Sequence, residues 1–287
     1  MKVNGCECSI VIKTAYKEMS VPYSEETIRE AFSVLQEDAS IEGDGSCKAI
    51  RKASGVTGCV VTPLTIGSAP LLLYLAMGAV GNPVYVSETR GVYQYQLNLL
   101  PMEDTEHFDL VQERGNERKL FEGCRVIGFE LRIEREQAVK LKIDIYGDRP
   151  AVTYSYTDNF VTETGERFNG DSVTYKINGK EYKNIYGLTL VSKKQGGTKT
   201  ELWIRRSLEI ADGIPEVIEE IVITAQLLRD KYEHRYFGTF RITMNRLVFV
   251  SDETNVNTSG AVIGPLRYYV AGTVLTEVFT SGEERLA

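Results

Sequence analysis

Residues 121–147, FEGCRVIGFELRIEREQAVKLKIDIYG, constrain the fold more than any other stretch of the chain. Phe129, Leu131 and Ile133 are apolar, and Glu130, Arg132 and Glu134 alternate with them. After a polar break at 135–137 the pattern resumes, with Val139, Leu141, Ile143 and Ile145 in one phase and Lys140, Lys142 and Asp144 in the other. Successive side chains of a strand point to opposite faces, so a period of two predicts one buried face and one wet face. Two such runs across a short polar turn predict an antiparallel hairpin. The wet face carries both signs of charge, which lets each run offer ion pairs to the other across the ladder.

Similar alternation recurs along the chain. Residues 84–100, 171–177, 185–191, 238–245 and 267–279 read as strands, and residues 1–20 as an edge strand or arm. In ELWIRRSLEI, Leu202, Ile204, Leu208 and Ile210 share one face, while Arg206 falls on the apolar side and needs a partner. Residues 217–228 fit either a helix or a strand, and their crowd of β-branched residues favours the strand. Two segments read as helices. In the first, Ser24 caps a run that has Glu25 and Glu26 in its first turn and Ile28, Phe32 and Leu35 on its buried face. In the second, Ser68 and Pro70 open LLLYLAM and Gly78 closes it.

Residues 37–58 are loop-like, with glycines at 43, 45, 55 and 58 and the basic residues Lys48, Arg51 and Lys52. Residues 101–113 form an acidic loop that leads to Phe108, Leu110 and Val111. The architecture expected is mainly β: an antiparallel sandwich or half-barrel with one or two short helices. Its divisions are a helical arm over 1–44, the β domain over 45–250, and a last strand and tail over 251–287.

The formal charge of −7 speaks against a protein that grips phosphate backbones. The longest apolar run, around 71–77, is far short of the ~18 residues a membrane helix needs. The N-terminus lacks a hydrophobic signal core, so synthesis in a cytoplasm is expected. The five cysteines, Cys6, Cys8, Cys47, Cys59 and Cys124, do not form a disulfide framework, and Cys6 and Cys8 lack a matching second pair of metal ligands. They read as small buried hydrophobes. With His107 and His234 as the two histidines, no nucleophile–base arrangement is visible, and the carboxylates alternate along strands as solvated faces do. No nucleotide-binding or metal-binding spacing occurs. Aromatic and basic residues crowd YEHRYFGTFR, a pattern compatible with base stacking that the acidic balance and the strand alternation oppose. The expectation is therefore no catalytic, cofactor or metal site.

The order of these segments resembles bacteriophage tail tube (major tail) proteins of the longer, β-rich kind. The resemblance runs from LLLYLAMG through a tyrosine-rich strand, the acidic proline-containing loop and the hairpin LFEGCRVIGFELRIEREQAVKLKIDIYG. It continues through IYGLTLVSKK, LWIRRSLEIADGIPEVIEEI and the DKYEHRY run before GTFRI, covering 45–250. It implies a structural virion protein with a β-sandwich or half-barrel and a flanking helix. Such proteins form rings, commonly of six subunits, which stack into a tube that the genome crosses. The implied partners are copies of the chain itself and other tail proteins such as tape measure, terminator or sheath. DNA is present only in transit, with no membrane and no cofactor. The implied place is the virion tail, assembled in the host cytoplasm.

On this reading Glu130, Arg132, Glu134, Lys140, Lys142 and Asp144 line the lumen or meet the next subunit. The loop carrying Met102, Glu103, Asp104, Glu106, His107 and Phe108 reaches a neighbour. The channel wall is expected to be net negative, so that phosphate slides past it. The competing readings are a non-viral binding module on a β-sandwich and a carboxylate-based enzyme on a barrel.

Overall fold

A computed structural model describes residues 8–15, 17–36, 49–80, 84–87, 92–115, 117–153, 165–183, 185–206, 214–227, 239–252, 255–257, 260–262 and 265–281. Strands dominate it, with one α-helix among the described residues. β1 (Cys8–Lys13) and β2 (Glu18–Val21) pair as a hairpin, and β3 (Glu25–Glu26) and β4 (Arg29–Gln36) lie end to end along β5 (Ala49–Pro63). Helix α1 (Ala69–Met77) leads into β6 (Gly78–Val80), β7 (Val84–Ser87) and β8 (Val92–Leu99). A 3-10 turn at Met102–Asp104 precedes β9 (Phe108–Arg114), β10 (Glu117–Glu134), β11 (Lys140–Gly147) and β12 (Val152–Thr153). Next come β13 (Val173–Ile177), β14 (Lys180–Glu181), β15 (Ile185–Lys193) and β16 (Lys199–Arg206). The last are β17 (Val217–Gln226), β18 (Thr239–Asp252), the small hairpin β19 (Asn255–Asn257) and β20 (Gly260–Val262), β21 (Leu266–Val270) and β22 (Val274–Ser281).

Long strands that change partners along their length join the sheets. β10 pairs with β9 over its first half and with β11 and β15 over its second. Register shifts between Phe121 and Cys124 and between Val126 and Gly128 bend it on the way, as bulges do. β18 pairs with β22 along 239–244 and with β21 along 247–252, and Arg246, at φ 55°, lies between. The result is a wide antiparallel sheet in the order β3/β4, β5, β11, β10, β15, β16, β21, β18, β17. A second sheet runs β13, β17, β18, β22, β8 and ends on β6 and β7. A third runs β2, β1, β9, β10. Among the described residues the pairings never return to their starting strand, and the sheet stays open rather than closing as a barrel.

α1 packs against β8 and β22 of the second sheet and against β10 of the wide one. All nine of its residues are buried, as an entirely apolar helix requires. Ser68 does not cap it through its side chain. Its hydroxyl instead meets the Thr65 N–H at 3.0 Å and the Thr65 hydroxyl at 2.9 Å. Gly78 closes the helix in the left-handed conformation, at φ 105°. In the predicted hairpin Phe129, Leu131, Ile133, Val139, Leu141, Ile143 and Ile145 are all buried. Residues 217–226 form a strand, and Arg206 finds its partner in Asp252 at 2.8 Å.

The helix expected over 24–35 does not form. Those residues are β3 and all but the last residue of β4, because β5 offers a long ladder and pairing across it outweighs local helix signals. The supposed helical face divides: Ile28 is 1% exposed and Phe32 45%. Glu26 does not serve a helix terminus. It takes a hydrogen bond from Gln112 at 2.8 Å and an ion pair from Arg114 at 2.7 Å.

The loop expected over 37–58 is half wrong as well, since β5 begins at Ala49. Its glycines mark close approaches within a strand. A Cβ on Gly55 would stand 2.1 Å from the Gly147 carbonyl oxygen, and one on Gly58 2.6 Å from the Ile28 Cα. The expectations for Gly43, Gly45, Lys48, Cys6, Cys47, Leu208, Ile210, His234 and the aromatic run at 232–237 lie outside the described residues. β4 and β5, on either side of residue 44, pair with each other, and β18, which runs through residue 250, pairs with β21 and β22.

Candidate functional site

The six charges predicted on the hairpin do share one surface, the wet face of the wide sheet. Strand register extends that surface across the molecule in rungs. The longest visits nine strands: Glu25, Val61, Lys142, Glu130, Val191, Glu201, Tyr269, Val248 and Val217 are cross-strand neighbours in that order. On one side of it Lys140, Arg132, Thr189, Trp203 and Arg267 form the next rung. On the other side Cys59, Asp144, Gly128, Lys193 and Lys199 form another.

Where β10, β15, β16 and β21 lie side by side this face is hollowed. A trough of about 850 Å³ is lined by Glu130, Thr189, Val191, Lys193, Lys199, Glu201, Trp203, Arg205, Pro265 and Arg267. A smaller hollow of about 440 Å³ continues it past Gly128 and Asp144 towards Cys59 and Thr27.

Charge on this face is organised as fixed pairs. Arg267 grips Glu201 through two hydrogen bonds, at 2.6 and 3.0 Å, and its guanidinium stands 5.0 Å from the centre of the Trp203 ring. Arg205 holds Glu134 at 2.9 Å. The hairpin's own charges pair along each strand instead of across the ladder: Arg132 with Glu130, and Lys142 with Asp144 at 3.2 Å. Glu130 stands opposite Lys142 in register and Arg132 opposite Lys140, so one rung matches unlike charges and the next like ones. Lys193 and Lys199 also face each other directly, and among the described residues no carboxylate lies within ion-pairing distance of either. Over these rungs and the adjoining Glu134–Arg205 pair, seven basic side chains stand beside five acidic ones. These rungs thus carry more basic than acidic side chains, although the chain as a whole has a formal charge of −7.

The acidic loop is a more mixed object than its sequence implied. Glu103, Asp104, Glu106 and His107 are exposed and Met102 is half-buried, while Phe108 is 2% exposed and belongs to the core. Phe108 therefore cannot reach a neighbour. The Thr105 hydroxyl donates to the Met102 carbonyl at 2.7 Å and closes the turn, and His107 hydrogen-bonds Arg125 of β10. The loop thus rests against the middle of the strand that also carries the hairpin charges.

Two features escaped the sequence reading. Trp203 shares the parity of Glu201 and Arg205, so the alternation of β16 already placed the chain's one tryptophan on the wet side. Lys194, in the polar run KKQGGT that links β15 to β16, is 0% exposed, its ammonium donating to the Met77 carbonyl at the end of α1 at 3.1 Å. Burial pulls its pKa down from the usual lysine value to about 7. Of the cysteines described by side chain, Cys59 is half-exposed on the wet face and Cys124 is buried. Burial, aided by Asp109 and Asp148, pushes the Cys124 thiol up to about 12, which leaves it unreactive. Among the described residues no group of three or more His, Cys, Asp and Glu is placed to hold a metal ion, and no helix is long and apolar enough to cross a membrane.

A surface of this kind is suited to contact and to lining. Two of its carboxylates, Glu130 and Glu201, line the trough, each paired with an arginine, Arg132 and Arg267. No protein-family model matches the chain, and no curated protein matches it.

Proposed function

We propose that this chain is a tube-forming structural protein of the bacteriophage tail type. Copies join edge to edge into rings, the rings stack, and the hollowed wet face lines a channel for the genome. The observation that carries this reading is the wide sheet, with its hollowed wet face and an edge along β4 that no other described strand covers. An open sheet presents unpaired backbone groups to any other strand, and closure through neighbours removes them.

The β4–β5 ladder supports the same reading. β11 ends opposite Val56, and beyond it residues 49–55 pair with β4 alone among the described strands. A two-stranded ladder is marginal by itself in water, so an arm that projects past its sheet gains most from resting on another copy. The exposed acids Glu103, Asp104 and Glu106 offer a second contact. Tape measure, terminator or sheath proteins would meet the ends or the outside of such a tube, and DNA would pass without specific contacts.

Negative-stain microscopy of the concentrated protein tests the proposal: rings or tubes are expected. A particle that stays a single chain at every concentration overturns it. The trough around Trp203 favours a second reading, a binding module, in which a monomer takes a soluble ligand that alters the fluorescence of that one tryptophan.

A further inference from the structure

The trough on the wet face carries charge that the chain itself leaves unanswered. Four cations and two carboxylates line it. Arg267 is tied to Glu201, Arg205 to Glu134, and Glu130 to Arg132. That leaves Lys193 and Lys199, both exposed and directly opposite each other across the β15–β16 ladder, with no carboxylate of the described residues paired to either. Like charges that face each other on a ladder repel, and an anion seated between them replaces that repulsion with two attractive contacts. We propose that the trough binds a single nucleoside phosphate, with the phosphate between Lys193 and Lys199 and the base against Trp203 and Arg267. The site lies within one chain, so it stands apart from the tube reading.

The spacing calls for a ligand with two unlike ends. Lys199 and Trp203 are four residues apart on β16, about 13 Å along a strand at ~3.3 Å per residue. A small inorganic anion would fill one end of that length and leave the other bare. The volume, about 850 Å³, suits one small organic molecule. Glu201 and Val191 form the rung in between, and the Arg267 guanidinium neutralises Glu201 there.

Each end is built for its half of the ligand. Lysine is a mobile point charge on a flexible stem, which suits it to meeting a phosphate from either side. Gly128 continues the lysine rung without a side chain, and Lys193 also lines the smaller hollow beyond, so this end is open. At the other end Arg267 is held by two hydrogen bonds from its guanidinium to Glu201 and stands 5.0 Å from the centre of the Trp203 ring. A fixed guanidinium plane beside an indole is a surface on which nucleobases stack. The Thr189 hydroxyl, across the ladder from Trp203, can donate to a base edge or accept from it. A double helix keeps its bases stacked inside and has no ring to lay there, so the site takes a free nucleotide and ignores a passing duplex.

Titration with adenosine monophosphate, read by the fluorescence of Trp203 and by calorimetry, tests the proposal. Saturable one-to-one binding is expected, weakening as salt is raised. Adenosine and inorganic phosphate, each with half of the ligand, should both bind about tenfold more weakly or worse. A K193Q/K199Q variant should lose about tenfold in affinity for the nucleotide, the equivalent of one charge-assisted hydrogen bond. Its unfolding midpoint should not fall, because both side chains are exposed and unpaired. No saturable binding of adenosine monophosphate overturns the proposal, and so does undiminished binding by K193Q/K199Q. Inorganic phosphate that binds as tightly as the nucleotide overturns the place given to the base at Trp203. A single-stranded oligonucleotide that binds more than about tenfold tighter than the mononucleotide overturns the single-nucleotide assignment. None of these outcomes bears on ring formation, which microscopy tests separately.

Discussion

The β10–β11 hairpin and the β4–β5 ladder are both antiparallel pairs, yet they depend on the rest of the molecule in different ways. β10 and β11 are paired on their outer sides as well, by β15 and β5, and every second side chain goes into the core. β4 is paired on one side alone among the described strands, and the far part of β5 leaves the sheet altogether. Alternation is written into a strand in proportion to the burial of one face, because only burial penalises a polar residue in the wrong phase. The hairpin therefore declares itself in the sequence. The arm, held by backbone pairing, carries helix-like spacing and loop-like glycines without contradiction.

The sharpest way to break this comparison is to truncate a side chain in each region. Leu131→Ala or Ile143→Ala should lower stability by about 2–5 kcal/mol, since both side chains are fully buried. Phe32→Ala on the arm should change it by about 0.5 kcal/mol or less. Urea unfolding of the three variants measures this, and equal losses would show that the arm is as deeply packed as the hairpin.

A second test is pH. Lys194 follows β15 on the hairpin's side of the sheet, with its backbone N–H on the Ile127 carbonyl at 2.9 Å. Its pKa is about 7 when folded against the ordinary 10.5. Below pH 7 the ammonium is charged in both states and the cost of burying it is fully present. Between 7 and 10.5 the unfolded chain holds the extra proton, so stability rises with pH, by an amount on the order of 5 kcal/mol. Lys194→Met should be the more stable protein at pH 6, and the difference from wild type should fade as pH approaches 10.5. A difference that does not vary with pH would mean that the ammonium reaches water.

The third test lies where the two regions meet. Gly55→Ala would push a methyl against the Gly147 carbonyl and should cost about 1–3 kcal/mol, which thermal unfolding would register. An unchanged melting temperature would mean that the backbones separate freely there. The smallest effects belong to the wet face. Glu130→Gln and Lys142→Gln should each shift monomer stability by less than about 1 kcal/mol, as exposed ion pairs do, while altering ring formation seen by sedimentation. A large loss of monomer stability would move these charges from the contact surface to the fold.

Most of the strand pattern was legible from the period of two, including β17, where β-branched residues outvoted a plausible helix. What was not legible is what depends on distant partners. Nothing around Ser24 says that β5 will pair with the residues that follow it. Nothing in VSKKQGG says that Lys193 will face water while Lys194 lies under the end of a helix, 117 residues from Met77 along the chain. The wet face could be read strand by strand, but its hollow could not. The trough joins side chains from β10, β15, β16 and β21, and only the register between strands brings Trp203 beneath Arg267.

The contact between Gly55 and Gly147 makes the arm a lever with a defined fulcrum. Six residues of β5 extend beyond that point, a length of about 20 Å at ~3.3 Å per residue. A rotation of ten degrees at the two glycines would carry the far end of β5 through about 3.5 Å, most of the ~4.8 Å spacing of one strand. Whatever the arm touches is therefore positioned by the angle at which two backbones meet without side chains between them, and a single added methyl group there resets the reach of the whole arm.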